Sequence, residues 1–543
     1  MKKNIFILSL CLFLLNVFSQ QAISKTWIAD LGNGKYRNPI LHADYSDSDV
    51  CRVGDDYYMT ASSFNCVPGL PILHSNDLIN WKLIGHALER LEPEDVFSTP
   101  QHGKGVWAPS IRYHNEEFYI YWGDPDVGIY RVKTKNPAGK WSKSELVKSG
   151  KGLIDPCPLW DDDGRVYLVH AYAGSRAGIK SILAVAELNA EGSKVVSPSR
   201  TIYDGHDLDP TIEGAKFYKR NGEYYIFAPA GGVATGWQVV LKSKTVYGPY
   251  ERKVVLAQGN TLINGPHQGA WVDTPDGEDW FFHFQDKGAF GRVVHLQPMS
   301  WQDNGFPVIG IEKDGLGIGK PIPEYRKPNV KGRFPIQTPA ESDEFESIEL
   351  GLQWQWQANP ADWWSFANSE KGVLTLFSVP LPGNYMNLWN VPNLLLQKFP
   401  SEKFSAAVKF RFFPDERYLG EKAGLVVMGT NYASLSIEKS DSGFTISQNV
   451  CVEADKGTSE TTYKYIVIEQ PSDIYFQIDV NQDAMCRFAY SLDGEKFSNI
   501  GKTFQAKEGK WIGAKVGMFC LRPTRNNDGG KIEIDWFRFD LKH

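Results

Sequence analysis

Residues 210–230, "PTIEGAKFYKRNGEYYIFAPA", hold a β-hairpin and, just ahead of it, a carboxyl group. The runs "AKFYK" and "EYYIFAPA" flank a turn at Arg220-Asn221-Gly222, and Asn-Gly between two such runs is a strong hairpin signal. Glu213 precedes the first run and is followed at once by Gly214. A charge at a strand entrance is ordinarily solvated, so Glu213 alone specifies nothing.

The same pattern recurs along the chain. "VCRVGDDYYMTAS", "IRYHNEEFYIYWG", "LWDDDGRVYLVHA", "FYKRNGEYYIFAP" and "WVDTPDGEDWFFHF" each read as strand, polar turn, and a strand opening on large residues. Their second strands carry Tyr58, Tyr119, Tyr167, Tyr225 and Phe281, at offsets of 61, 48, 58 and 56 residues. Each segment is followed by another strand pair. Four strands repeated five times, with almost no helical period, predict a five-bladed β-propeller.

Counting back from each marked aromatic, 11 residues from Tyr58, 12 from Tyr119, Tyr167 and Tyr225, and 14 from Phe281, gives Asp47, Trp107, Asp155, Glu213 and His267. Equivalent positions of a propeller lie at one depth around one axis, so these five are expected to face one cavity. Like charges crowded in a poorly solvated pocket cannot all ionise freely, and at least one carboxyl must keep its proton. A protonated carboxyl beside ionised ones is what general acid–base cleavage of a glycosidic bond requires.

With these residues in place, roughly the first 325 positions resemble glycoside hydrolase family 43, the five-bladed propeller pentosidases. The likeness rests on "NPILHADYSDSDVCRVGDDYYMTASS", "VWAPS", "IDPCPLWDDDGRVYL", "EGAKFYKRNGEYYIF" and "GPHQGAWVDTPDGEDWFFHF" with "GRVVHLQPMSW", in that order. It implies Asp47 as general base, Glu213 as general acid and Asp155 as the third carboxylate, which orients the acid and keeps it protonated. An inverting enzyme holds acid and base roughly 6.5–9.5 Å apart, leaving room for a water. The family usually has proline after the base; here Ser48 follows Asp47, and Asp44 and Asp49 are neighbours open to confusion with it. Asp49 and the triplet Asp161, Asp162 and Asp163 read as turn or solvated residues. Trp107 and Arg292 resemble sugar-contacting positions, with propeller core and a rim salt bridge as the plainer readings. The resemblance sets His267 on the axis, holding water or a calcium ion, and Phe64 is expected to shape the pocket entrance. Cleavage itself is expected to need no cofactor.

Residues 326–340, in a longer stretch rich in Gly, Pro and Lys, read as an extended linker after a propeller spanning 25–325. Residues 341–543 alternate in short strands, from "FSAAVKFRFFP" to "KIEIDWFRFDL", as a two-sheet sandwich does. "SDEFES" and "IDWFRFDL" resemble the concanavalin A-like, jelly-roll type domain appended to family 43 β-xylosidases, which packs on the propeller and narrows the pocket. Asp535 is the candidate ligand for a structural calcium in such a domain, with a strand-end charge as the plainer reading.

Residues 1–24 read as an export signal: Lys2 and Lys3, then "IFILSLCLFLLNVF", then small residues at Ser19, Ala22 and Ser24. No second apolar run is long enough to span a membrane. The protein is therefore expected to be exported, to periplasm or medium. The net charge of −6, with Lys and Arg interspersed, excludes nucleic acid as a natural partner. Aromatics at 13% suit both β-sheet cores and sugar stacking. The six cysteines left after the signal show no metal spacing and leave one or two disulfides open. The expected activity is exo-acting, inverting removal of α-L-arabinofuranosyl or β-D-xylosyl residues from hemicellulose or pectin fragments. An endo-arabinanase on the same propeller, a retaining invertase-like propeller and an inactive carbohydrate-binding protein are the alternatives.

Overall fold

The computed structural model describes residues 23–441, 443–469 and 471–542. The export signal thus falls almost wholly outside the described residues. Ser24, read as its last residue, belongs to the folded body: it is buried, and its hydroxyl donates to Glu341 Oε2 at 2.8 Å.

Five four-stranded antiparallel sheets follow one another along the chain, beginning at Asp49–Val53, Trp107–His114, Leu153–Trp160, Lys216–Arg220 and Trp271–Asp273. In blade four Arg220 pairs with Glu223, so the turn proper is Asn221-Gly222, both at positive φ (52° and 77°). That is the geometry Asn-Gly favours, because neither residue pays the usual penalty for the left-handed region.

Each marked aromatic lies on the second strand of its blade and packs between blades. Tyr58 meets Phe118 with ring centroids 4.7 Å apart, Tyr119 and Tyr167 join the cores between blades two and three and between three and four, and Tyr225 packs with Phe281 between four and five. A fifth core, with Tyr57 and Met59 against Trp280 and Phe282, joins blade one to blade five and closes the ring. The chain ends of the propeller close on each other as well. Ile40 N and Leu41 N donate to Val294 O in blade five, and Lys35–Arg37 pairs with Glu324–Arg326.

The second unit is a sandwich of two eight-stranded sheets. Alternate residues of Phe404–Phe413 (Phe404, Ala406, Val408, Phe410) are buried, as a strand with one face on the core requires. It is bolted to the propeller by backbone pairing of Val67 with Trp356 (3.0 and 2.6 Å) and by Ala514 N donating to Ala289 O (2.8 Å). Phe290 of the propeller enters the sandwich core. The six described cysteines are free thiols, so the disulfides left open by sequence are not formed. No helix among the described residues is long and apolar enough to cross a membrane.

Burial leaves many imidazoles neutral. His42 and His267 are held down to about 3, and His170 and His283 to about 4, desolvation being the first cause in each. The unfolded chain takes up protons from about pH 6.5 that these rings refuse, so stability falls as pH drops below that value. Asp155, Glu213 and Asp124, whose pKa values are raised by burial, work in the opposite sense. We expect a lower thermal midpoint at pH 5 than at pH 7, and a smaller difference in His170→Asn; an equal slope in that variant would remove His170 from the account.

Candidate active site

Asp47 sits in the loop ahead of blade one at φ 54°, a left-handed conformation that Asp tolerates better than most residues. Its Oδ2 accepts from the hydroxyls of Ser46 (2.7 Å) and Ser62 (2.6 Å), and Arg292 Nη1 approaches Oδ1 at 3.3 Å. Ala108 N, next to Trp107, donates to Ser62 Oγ at 2.8 Å. The first strand of blade two therefore orients the carboxylate of blade one. Asp155 is also left-handed, at φ 55°, where its strand bulges between Ile154 and Cys157. Its Oδ2 accepts from Gly214 N at 2.6 Å, which fixes the backbone beside Glu213.

Glu213 keeps 28% of its side chain exposed, in a recess. Burial, then the charges of Asp155 and Asp47, raise its pKa to about 8, while Arg292 and Lys180 oppose the shift. Asp155 is raised too, first by burial. The charge of Asp155 therefore favours the protonated form of Glu213. His267 is fully buried, with Nε2 3.6 Å from Glu213 Oε1 and neither ring nitrogen hydrogen-bonded. Burial keeps that imidazole neutral, so it adds no positive charge beside Glu213.

Trp107 is half-buried, anchored by Nε1 donating to Gly103 O at 2.9 Å. Phe64 abuts it edge-on (6.2 Å) and is only 2% exposed, so it backs Trp107 instead of shaping an entrance. Arg292 is buried and bonded to Ser46 and Asp47, deeper than a rim salt bridge.

The neighbours of Asp47 point elsewhere. Asp44 accepts from Arg292 N (2.9 Å) and from Gly513 N of the sandwich (3.0 Å). Asp49, expected to be solvated, is fully buried and paired with Arg112 at 2.6 Å. Asp161 is in the expected turn, but its carboxylate is buried against Lys219 and Tyr224. Asp535 is bound to Lys409 (2.6 Å) and faces Arg411 (3.5 Å). A carboxylate already neutralised by two cations does not fit a calcium ligand.

Sequence reasoning missed Ser46, Ser62 and, above all, Trp511. This sandwich residue, at φ 66°, lies 6.0 Å from Trp107 edge to face and 5.8 Å from the Arg292 guanidinium. With Asp286, Glu508 and Lys510 it borders a cleft of about 290 Å³ beside Arg292. A more enclosed cavity of about 70 Å³ lies between Trp27, Tyr45 and Trp81 at the domain junction; none of the three carboxyls lines either space, but the cleft adjoins Asp47 through Arg292. We expect Trp511→Ala to raise KM for an oligosaccharide about tenfold, the loss of one aromatic contact, with the thermal midpoint unchanged. An unchanged KM would show that the indole is not a wall of the site.

A five-bladed propeller that gathers Asp47, Asp155 and Glu213 about His267, with a sandwich docked beside them, fits a glycosidase. The chain belongs to glycosyl hydrolases family 43, which residues 36–307 match, and residues 342–540 match the beta xylosidase C-terminal concanavalin A-like domain. It is 38% identical to a putative beta-xylosidase of Xylanibacter ruminicola, over 92% of this chain and 88% of that one. It is 32% identical to a non-reducing end alpha-L-arabinofuranosidase of Bacteroides ovatus, over 94% and 96%. A family 43 protein of Bacillus licheniformis shares its architecture at TM-score 0.79, with 25% identity over 94% of this chain and 100% of that one.

Proposed function

We propose that this glycosidase is an exo-acting, inverting β-D-xylosidase. Asp47 activates the attacking water, Glu213 protonates the departing oxygen, and Asp155 holds Glu213 in place and protonated. The observation that carries this reading is the pair of environments: Asp47 ringed by donors, Glu213 recessed beside two other carboxyls. Single displacement needs those two states in two residues, and no covalent intermediate. Trp511 supports attack at a chain end, because it narrows the side along which a polymer would run through. The names of two relatives, at 38% and 31% identity, support xylosyl specificity. α-L-Arabinofuranosyl specificity is the second reading, favoured by the Bacteroides ovatus relative. The basic and apolar leader supports export, and xylo-oligosaccharides are the proposed natural substrates.

Paired initial rates on aryl β-D-xyloside and aryl α-L-arabinofuranoside, with Asp47→Ala as the blank, test this. Faster xyloside turnover, lost in the variant, is expected. Turnover of the arabinofuranoside alone would select the second reading, and turnover of neither would reject both.

A further inference from the structure

The first strand of each blade begins near the site and runs away from it, so the far ends of these strands surround a second mouth. At ~3.3 Å per residue, the five residues from Asp155 to Trp160 put it roughly 17 Å from the carboxyls. Arg52, His114, Trp160, Tyr218 and Trp271, one from each blade, border a funnel of about 390 Å³ there, within the ~300–1,000 Å³ range of small-molecule sites. A layer of buried contacts stands between the two mouths: Arg112 donates to Asp49 at 2.6 Å and to Cys157 Sγ at 2.9 Å.

The chemistry of the funnel selects a ligand class. Its charges are already paired: Arg52 binds Asp273 through two bonds (3.0 and 2.9 Å), Lys219 binds Asp161, and Arg112 binds Asp49. An ionic ligand finds no free counter-charge. The groups left without a protein partner are neutral and sit on aromatic rings. Among the described residues, Trp160 Nε1, both nitrogens of His114 and Tyr113 Oη make no hydrogen bond, and Tyr218 Oη accepts from Trp271 N while keeping its own proton. His114 stacks face to face on Trp160 at 4.8 Å and 12°, and Tyr119 packs on Trp160 at 5.0 Å, so the pair forms a rigid wall of rings. A rigid aromatic rim carrying neutral, unpartnered hydrogen-bonding groups matches an uncharged molecule with a girdle of hydroxyls.

We propose that this mouth is a second saccharide site, distinct from the cleavage site, which takes a neutral pentose oligosaccharide or a polysaccharide end. The ligand class rests on the reading of the protein as a pentosidase. Two sites on one body raise the effective concentration of polymer at the cleavage site.

The test is calorimetry of xylohexaose on the full chain carrying Glu213→Gln, with Trp160→Ala or Tyr113→Ala added. The Glu213→Gln protein is expected to show two sites. Either added change should weaken one of them about tenfold, and with Glu213 intact each should leave kcat/KM on the aryl glycoside within about twofold. Tyr113, 40% exposed, carries the test if Trp160→Ala fails to fold. A single site before the added changes, or two sites unaffected by either, overturns the proposal. Aryl pentoside turnover with a single hexaose site would sink this inference and leave the proposed function intact. Two sites without turnover would do the reverse.

Discussion

Glu213→Gln is expected to lower kcat by about 10²–10⁴ on xylobiose, whose leaving group needs a proton. On an aryl glycoside with an acidic phenol the loss should be much smaller, because that oxygen departs unassisted. The amide has nearly the shape of the acid, and among the described residues the Glu213 carboxyl makes no hydrogen bond, so thermal stability should hold. Asp47→Asn should lose activity on both substrates alike, since the water must be activated whatever leaves. Equal losses for Glu213→Gln on both substrates would mean that the proton comes from elsewhere.

Asp155→Asn should move the pH profile. In its proposed role Glu213 acts only while protonated, so its raised pKa, about 8, should set the alkaline limb of kcat/KM. Asp155 is the larger of the two charges that push this pKa up, after burial itself. Removing that charge should draw the limb down by about one pH unit, the smaller end of like-charge effects. Activity should therefore fall more at pH 8 than at pH 5. Asparagine can still accept from Gly214 N, so a simple loss of position would lower the whole profile without moving its limb. That outcome would make Asp155 a positioning residue and nothing more.

How far these residues were legible depended on how local their signals are. A blade is a hairpin followed by a hairpin, set by turns and alternation within a few dozen residues, so the repeat and its equivalent positions could be counted. Asp47, Asp155, Glu213 and His267 came out of that count, and the structure brings them to one centre. What escaped depends on contacts between distant segments. Ser62 is one serine among many until Ala108 N and Asp47 close on it. Trp511 reaches the site from the other domain, more than two hundred residues beyond Arg292, and no spacing rule connects them. Asp49 looked solvated because its neutralising partner, Arg112, lies in the next blade. The short sandwich strands Ser365–Asn368, Val373–Phe377 and Leu395–Lys398 went unread for a related reason: pairing with long neighbours such as Lys515–Arg522 and Lys531–Asp540 defines them, more than their own few residues do.

The most direct test of single displacement between Asp47 and Glu213 is the anomeric form of the sugar first released. Proton NMR of aryl β-D-xyloside hydrolysis, followed from the first seconds, should show α-xylose appearing before mutarotation yields the β form. Initial appearance of β-xylose would mean a covalent intermediate, and would contradict the roles assigned to both carboxyls.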